Sequence, residues 1–280
     1  MKVWVTGSSG QLGAATVKHL RQYGHTVHGV DIIPADTTDE LLDIKDKAAV
    51  EASAKGVDAI IHTAAIHGKH YELNYPREAF IDTNIYGTLN LLNACVKNGT
   101  GKFLYTSTTS IYGGALVDAD KAVWVDESLI EMPRDIYDIT KQTAEQLCKD
   151  LFYKEGLQTS VYRVGRFLPE DDNLKINHRL YRGLDERDGA EALRLALGIK
   201  FADFEIFNIS SGSPFNKSET VLLKHSPKQV ILQHYPQAEE VYRAKGWVFP
   251  QTIDRVYVCD KAKKQLGYDP QYTFAYLLQQ

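Results

Sequence analysis

Two groups of residues, about 130 positions apart, combine types and spacings that suit redox chemistry. Tyr137 and Lys141 are four apart, so on a helix they share a face. A free phenol has a pKa near ~10 and is a weak base at neutral pH. An ammonium beside it stabilises the phenolate and lowers that value. The same lysine can bond the ribose hydroxyls of a nicotinamide nucleotide. A further hydroxyl must orient the substrate oxygen, and Thr106-Ser107-Thr108-Thr109-Ser110 lies at the end of a predicted strand, where ligands sit in open α/β sheets. A Tyr-x-x-x-Lys pair alone also reads as a solvated helix face. The second group removes much of that ambiguity. Thr6-Gly7-Ser8-Ser9-Gly10-Gln11-Leu12-Gly13 follows a β-favouring run and precedes a helical one. Gly7 allows a tight turn, Gly10 clears the approach of a pyrophosphate, and Gly13 lets helix and strand pack closely. The helix start offers unpaired N–H groups to the anion. Asp31 stands 18 residues after Gly13, at the end of a second predicted strand, where an acid accepts from a ribose 2′-OH. It is followed by Ile32-Ile33-Pro34-Ala35, with no cation for a 2′-phosphate, so NAD is expected rather than NADP.

The elements that must position these groups alternate. Strands are predicted over 2–6, 25–30, 57–62, 102–107, 159–164 and 204–210. Helices are predicted over 11–23, 77–97, 135–153 and 186–197. Such alternation predicts an α/β, Rossmann-type doubly wound parallel sheet. After Ser211 the pattern loosens. Ser226-Pro227 can start a short helix, and Asp260 can cap one over 261–266 that Gly267 ends. The chain reads as a single domain over 1–280. Segments 165–185 and 211–280 are expected to form a small substrate-covering lobe.

Composition bounds the partners. The chain has 280 residues, 44% of them hydrophobic, and a formal net charge of −4. That balance gives no sign of nucleic acid or an anionic membrane surface as partner. Cys95, Cys148 and Cys259 are few and widely spaced, as in a reducing compartment. No targeting segment and no apolar run of spanning length is apparent, so a cytoplasmic location is expected. His62, His67 and His70 have no carboxylate or cysteine at a ligand spacing, so no metal is expected. His67, Lys69 and His70, with Arg166 and Lys175, could instead receive an anion or simply be solvated loops.

With these residues in place the chain resembles the extended short-chain dehydrogenases/reductases, the NAD-dependent epimerase/dehydratase family. The resemblance runs from Met1 to about Gly212. Its motifs recur in order: the glycine motif, Asp31, Asp43-Ile44, His62-Thr63-Ala64-Ala65, Asn84-Ile85-Tyr86-Gly87-Thr88, Ser107 to Gly113, Tyr137 with Lys141, Arg163, and Phe207-Asn208-Ile209. The resemblance implies cofactor contacts from Gly7, Ser9, Gly10, Gln11, Leu12, Gly13, Asp31, Asp43, Ile44, Thr63, Ala64, Ala65, Asn84, Tyr137 and Lys141. It places the catalytic hydroxyl on Thr108 and implies a homodimer through helices 77–97 and 135–153.

Two departures narrow the activity. The dehydratase branch carries Thr-Asp-Glu where this chain has Thr108-Thr109-Ser110. Only 24 residues separate Arg163 from Asp188, little room for a nucleotide-sugar lobe. The stretch Tyr162 to Glu170 is similar to that of uronate dehydrogenases. There an arginine binds the sugar carboxylate, and Lys175 stands in its place. That likeness also sets His67, Thr109, Ser110 and Arg166 on the substrate side. The leading expectation is an NAD-dependent oxidoreductase for a secondary alcohol of a small polar or anionic substrate such as a sugar acid. An NAD-dependent sugar epimerase and a non-catalytic NAD-binding protein are the alternatives.

Overall fold

The computed structural model describes residues 1–67, 70, 73–167 and 171–280. Lys69 and Leu168-Pro169-Glu170 lie outside the described residues. The first strand shows why the sheet is central. In β1 (Lys2–Thr6) every residue after Lys2 is buried. Val3 and Val5 enter one core, and Trp4 enters the other. A strand buried on both faces needs helices on both sides. The sheet is parallel and seven-stranded, with order β3-β2-β1-β4-β5-β7-β8. Its strands are β2 (Thr26–Asp31), β3 (Glu40–Leu41), β4 (Ala59–His62), β5 (Lys102–Thr108), β7 (Gln158–Val164) and β8 (Glu205–Ile209). The order reverses between β1 and β4, which opens a crevice at their carboxyl ends. The doubly wound α/β expectation holds.

Helix α1 (Gln11–Gln22) buries Leu12, Val17 and Leu20 against the first core, and α2 (Lys47–Ser53) covers the other face with Val50. The predicted helix over 77–97 is continuous over 77–98 but not uniform. We label it α3; it runs Arg77–Phe80, then a π-helical turn Ile81–Gly87, then Thr88–Asn98. Helix α4 (Ile136–Glu155) starts at an Asp135 cap whose carboxylate accepts from Asp138 N at 2.9 Å. Helix α5 (Asp172–Arg179) follows β7, and α6 (Glu186–Leu197) matches its predicted span.

A third apolar cluster joins Ile176, Leu180 and Tyr181 to residues between Phe215 and Leu278. Its elements are short: α7 (Thr220–His225), α8 (Pro227–His234, with Pro at its start as expected), α9 (Ala238–Lys245) and, after α10 (Asp260–Leu266), which packs on the first core instead, α11 (Phe274–Leu278). Asp260 opens α10 as its first helical residue, with Cys259 in the cap position. A separate pair, β6 (Val123–Val125) with β9 (Arg255–Tyr257), ties the tail to the loop before α4. Among the described residues, no helix is long and apolar enough to cross a membrane.

Candidate active site

The glycine turn is shaped by contacts as much as by dihedrals. Gly7 has φ +74°, and a Cβ there would lie 2.5 Å from Ala64 N. A Cβ on Gly13 would lie 1.9 Å from Gly7 O, so only glycine lets α1 start this close to β1. Gly10 differs: a Cβ there would meet only Gly7 O, at 3.3 Å. Gly10 is also the N-cap of α1 and makes no side-chain cap bond. The first amides of α1 therefore face a space kept clear of side chains, which suits a pyrophosphate.

Around this turn the expected cofactor residues converge. Asp31 ends β2, and its Oδ2 accepts from Ser9 N at 3.0 Å and Ser9 Oγ at 2.7 Å. Its Oδ1 accepts from Ile33 N. Thr63 donates to Thr6 O at 2.7 Å and so locks the loop after β4 to the glycine turn, beside Ala64 and Ala65. The Ile44 side chain packs where a Cβ on Gly87 would sit, and Asp43 pairs with Lys45. These residues fit a dinucleotide along the carboxyl ends of β1, β2 and β4.

The catalytic candidates come from β5 and α4. Asp135 caps α4, which places Tyr137 in its first turn and Lys141 one turn on. Tyr137 lies near the Thr108 hydroxyl at the end of β5, and that hydroxyl favours its ionised form. Burial pushes its phenol up to about 12, with the Thr108 hydroxyl opposing the rise and the neighbouring Asp138 and Asp135 adding to it. Lys141 is buried, and its Nζ donates to Thr106 O at 2.6 Å and lies 4.2 Å from the Tyr105 ring centre. Burial brings its amine down to about 7. This corrects one expectation: the phenol stands above its ordinary value, because desolvation outweighs any help from the amine.

Asn84 is the hub beneath these groups. Its Nδ2 donates to Ile66 O at 2.8 Å and to Thr140 Oγ1 at 3.0 Å, and its Oδ1 accepts from Ile66 N. It thus ties α3 to the loop after β4 and to the catalytic helix. The π-helical turn surrounds it, and Thr88 Oγ1 bonds Asn84 O at 2.6 Å. His62 lies between Thr6 Oγ1 and Thr88 Oγ1, at 2.7 and 3.0 Å, and burial holds it well below its ordinary value. The sequence marks His62 as a motif residue and as one of three histidines weighed and set aside as metal ligands; its actual partners, 56 and 26 positions away, carry no local signal.

Arg163 is a scaffold. It is 1% exposed and pairs with Glu145 at 2.7 Å and with Glu131. It also donates to Tyr112 OH, which reaches Asn208 at 2.9 Å. This network holds the turn after β5 against β7, β8 and α4.

The substrate-side expectations fare unevenly. Thr109 is buried, with its hydroxyl on Val164 O, so that hydroxyl is taken up inside the fold, while Ser110 N donates to the Thr108 hydroxyl. Lys175 lies on α5 with its Nζ 3.0 Å from Asp172, in a depression lined by Trp247, Leu277 and Gln280. That depression includes none of the catalytic candidates. His67 packs edge-on against His70, with ring centres 4.6 Å apart. Arg166 is exposed just past β7, bridged through its backbone to Gly183. Missed in the sequence were His178 and Arg182, which gather beside Arg166. Among the described residues, no group of three His, Cys, Asp or Glu side chains could hold a metal ion.

A seven-stranded parallel sheet with a glycine turn at its switch point and a Tyr–Lys helix beside a strand-end hydroxyl defines an extended short-chain dehydrogenase/reductase. The comparisons agree. Residues 3–180 match the NAD dependent epimerase/dehydratase family, and the chain belongs to it; its cofactor is NAD. The chain is 32% identical to a 3-beta-hydroxysteroid dehydrogenase of Mycolicibacterium neoaurum, over 97% of this chain and 88% of that one. It is 27% identical to a uronate dehydrogenase of Pseudomonas putida, over 62% of this chain and 64% of that protein. It therefore spans less than two thirds of that relative. Among solved structures it resembles a short-chain dehydrogenase/reductase superfamily protein from Agrobacterium tumefaciens with bound NAD. The TM-score is 0.75 at 19% identity, over 100% of this chain and 95% of that one. At that identity the likeness speaks for the fold.

Proposed function

We propose that this protein oxidises a secondary alcohol of a small polar substrate with NAD, Tyr137 serving as the general base. The nearness of Tyr137 to Thr108 carries the reading: it brings a proton acceptor and an alcohol-orienting hydroxyl together at the end of β5. The glycine turn and Asp31 hold the cofactor. NAD, when bound, accepts the hydride. Thr108 holds the substrate oxygen, Tyr137 takes its proton, and Lys141 contacts the ribose and supplies positive charge to the phenolate. General base catalysis of this kind is typically worth ~10²–10⁴-fold.

The sequence likeness to a uronate dehydrogenase supports a sugar acid as substrate. Arg166 and the His67 loop are then the substrate-side groups, and Lys175, paired with Asp172, is at most an outlying contributor. The exposed Tyr86, Val96, Ile139 and Tyr153 on α3 and α4 support a homodimer through these helices. Three free, buried cysteines suit the cytoplasm. The test is absorbance at 340 nm with NAD and a panel of sugars, sugar acids and other secondary alcohols. Net NADH formation is expected. Isomer interconversion without net NADH would make the protein an epimerase, and no turnover at all would make it a binding protein.

A further inference from the structure

The last turn of α5 and the residues just after it gather positive charge, with Asp254 and Asp171 as opposing carboxylates. His178 is 6% exposed, and its Nδ1 is buried with no hydrogen-bond partner. Four residues on, Arg182 is half-buried, its Nε likewise without a partner; its guanidinium carbon lies 5.8 Å from the Tyr181 ring centre. Buried polar atoms without partners are rare in folded proteins and call for an explanation. The position supplies one. Arg166 bridges to Gly183 through the backbone and bonds the Arg182 carbonyl at 3.0 Å. Arg166 lies two residues past Val164, which pairs in register with Thr108. The cluster therefore stands at the carboxyl end of β7, on the strand next to the catalytic hydroxyl.

We propose that Arg182 and His178 form a receptor for an oxyanion of the substrate, and that His178 takes up a proton as the anion binds. Arg182 contributes a permanent charge with a planar fork of donors. His178 contributes a conditional one. In the empty site it is neutral: burial, Arg182 and Arg166 bring it down to about 4, while Asp254 and Asp171 pull weakly the other way. An arriving anion reverses the local field, so the imidazolium becomes favourable and its Nδ1 gains the partner it lacks. Affinity must then rise as the pH falls. The identity of the anion as substrate rests on the oxidoreductase reading; the existence of the receptor does not.

Calorimetric titration of the NAD-loaded protein with sodium sulfate and with D-galacturonate tests this between pH 8 and pH 5.5, in buffers of different ionisation enthalpy. Neither probe titrates in that range. The expected result is binding that tightens toward pH 5.5, with proton uptake that approaches one per site. His178→Gln should bind with no proton uptake. Arg182→Gln should weaken binding roughly ten- to a hundredfold, as for loss of a charge-assisted bond, and Arg182→Lys should restore part of it. Unchanged NAD affinity in each variant shows that the fold is intact. Galacturonate binding without sulfate binding assigns a carboxylate receptor, and binding of both assigns a general oxyanion site. Anion binding that is insensitive to Arg182→Gln, or that takes up no proton in the wild type, overturns the proposal. Binding with full proton linkage but no redox turnover of any acid would leave the receptor standing and remove the oxidoreductase reading instead.

Discussion

Replacing Lys141 by methionine should make the ligand-free protein more stable at neutral pH while destroying its chemistry. Lys141 is 3% exposed, and its amine sits at about 7 instead of 10.5. A depressed lysine value means that folding disfavours the charged form. Above pH 10.5 both states are neutral and there is no cost. As the pH falls to about 7 the unfolded chain takes up a proton that the folded one refuses, and the cost grows; below about 7 it is constant. The gap of 3.5 units between the two values corresponds to about 5 kcal/mol at about 1.4 kcal/mol per unit. Methionine fills a similar volume without charge. It loses the bond to Thr106 O and leaves that carbonyl unpaired, which costs about 1–3 kcal/mol. It also loses the contact with the Tyr105 ring, about 1 kcal/mol. A net gain of about 1–3 kcal/mol remains, or about 2–5 °C in Tm for a chain of this length. Thermal unfolding of wild type and Lys141→Met from pH 6 to pH 10 measures it. The variant should melt higher at pH 6–7, with the difference shrinking steadily toward pH 10. A variant that melts lower at pH 7, or a difference that does not change with pH, would refute the claim that Lys141 is held against its solvation for function.

Three further outcomes follow from the same geometry. Asp31→Ala should weaken NAD roughly ten- to a hundredfold and relax the preference over NADP, because it removes charge-assisted bonds and the repulsion of a 2′-phosphate; fluorescence titration of both nucleotides checks this. Gly13→Ala would put a methyl 1.9 Å from Gly7 O, so it should lower stability by about 3 kcal/mol or more and abolish NAD binding, as read by melting with and without NAD. Asp188 is buried on α6 and holds the amides of Gln271 and Tyr272 at 2.8 and 3.0 Å, with its carboxyl raised to about 6 by burial. A raised carboxyl costs stability above pH 6 and less as the pH falls toward 3.8, so Asp188→Asn should flatten the rise in stability between pH 7 and pH 5.

What could be read in the sequence was local in cause. The glycine turn follows from backbone sterics within a few residues, and the strands β1, β4, β5 and β7 announce themselves as buried runs. The capped start of α4 follows from Asp135 alone. What could not be read depends on distant partners. Strands β3, β6 and β9 have two or three residues each, too few for a periodicity. The π-helical turn has its reason in the bonds from Asn84 to Ile66 and Thr140, 18 and 56 positions away. Lys175 was located by its distance from Pro169-Glu170, but spacing does not fix which face of α5 meets the site. Packing against α11 turns Lys175 toward Asp172, and the turn that follows brings His178 and Arg182 to Arg166. Thr109 looks like a free hydroxyl in a polar run, yet the fold spends it on an internal bond to Val164 O.

The central claim is that the Tyr137 phenol moves the proton. The most direct measurement is single-turnover formation of NADH by wild type and Tyr137→Phe, with the best alcohol from the substrate panel and NAD affinity measured in parallel. The account predicts a rate lower by ~10²–10⁴-fold with NAD affinity within about twofold of wild type. A Tyr137→Phe variant that reduces NAD within about threefold of the wild-type rate would contradict it.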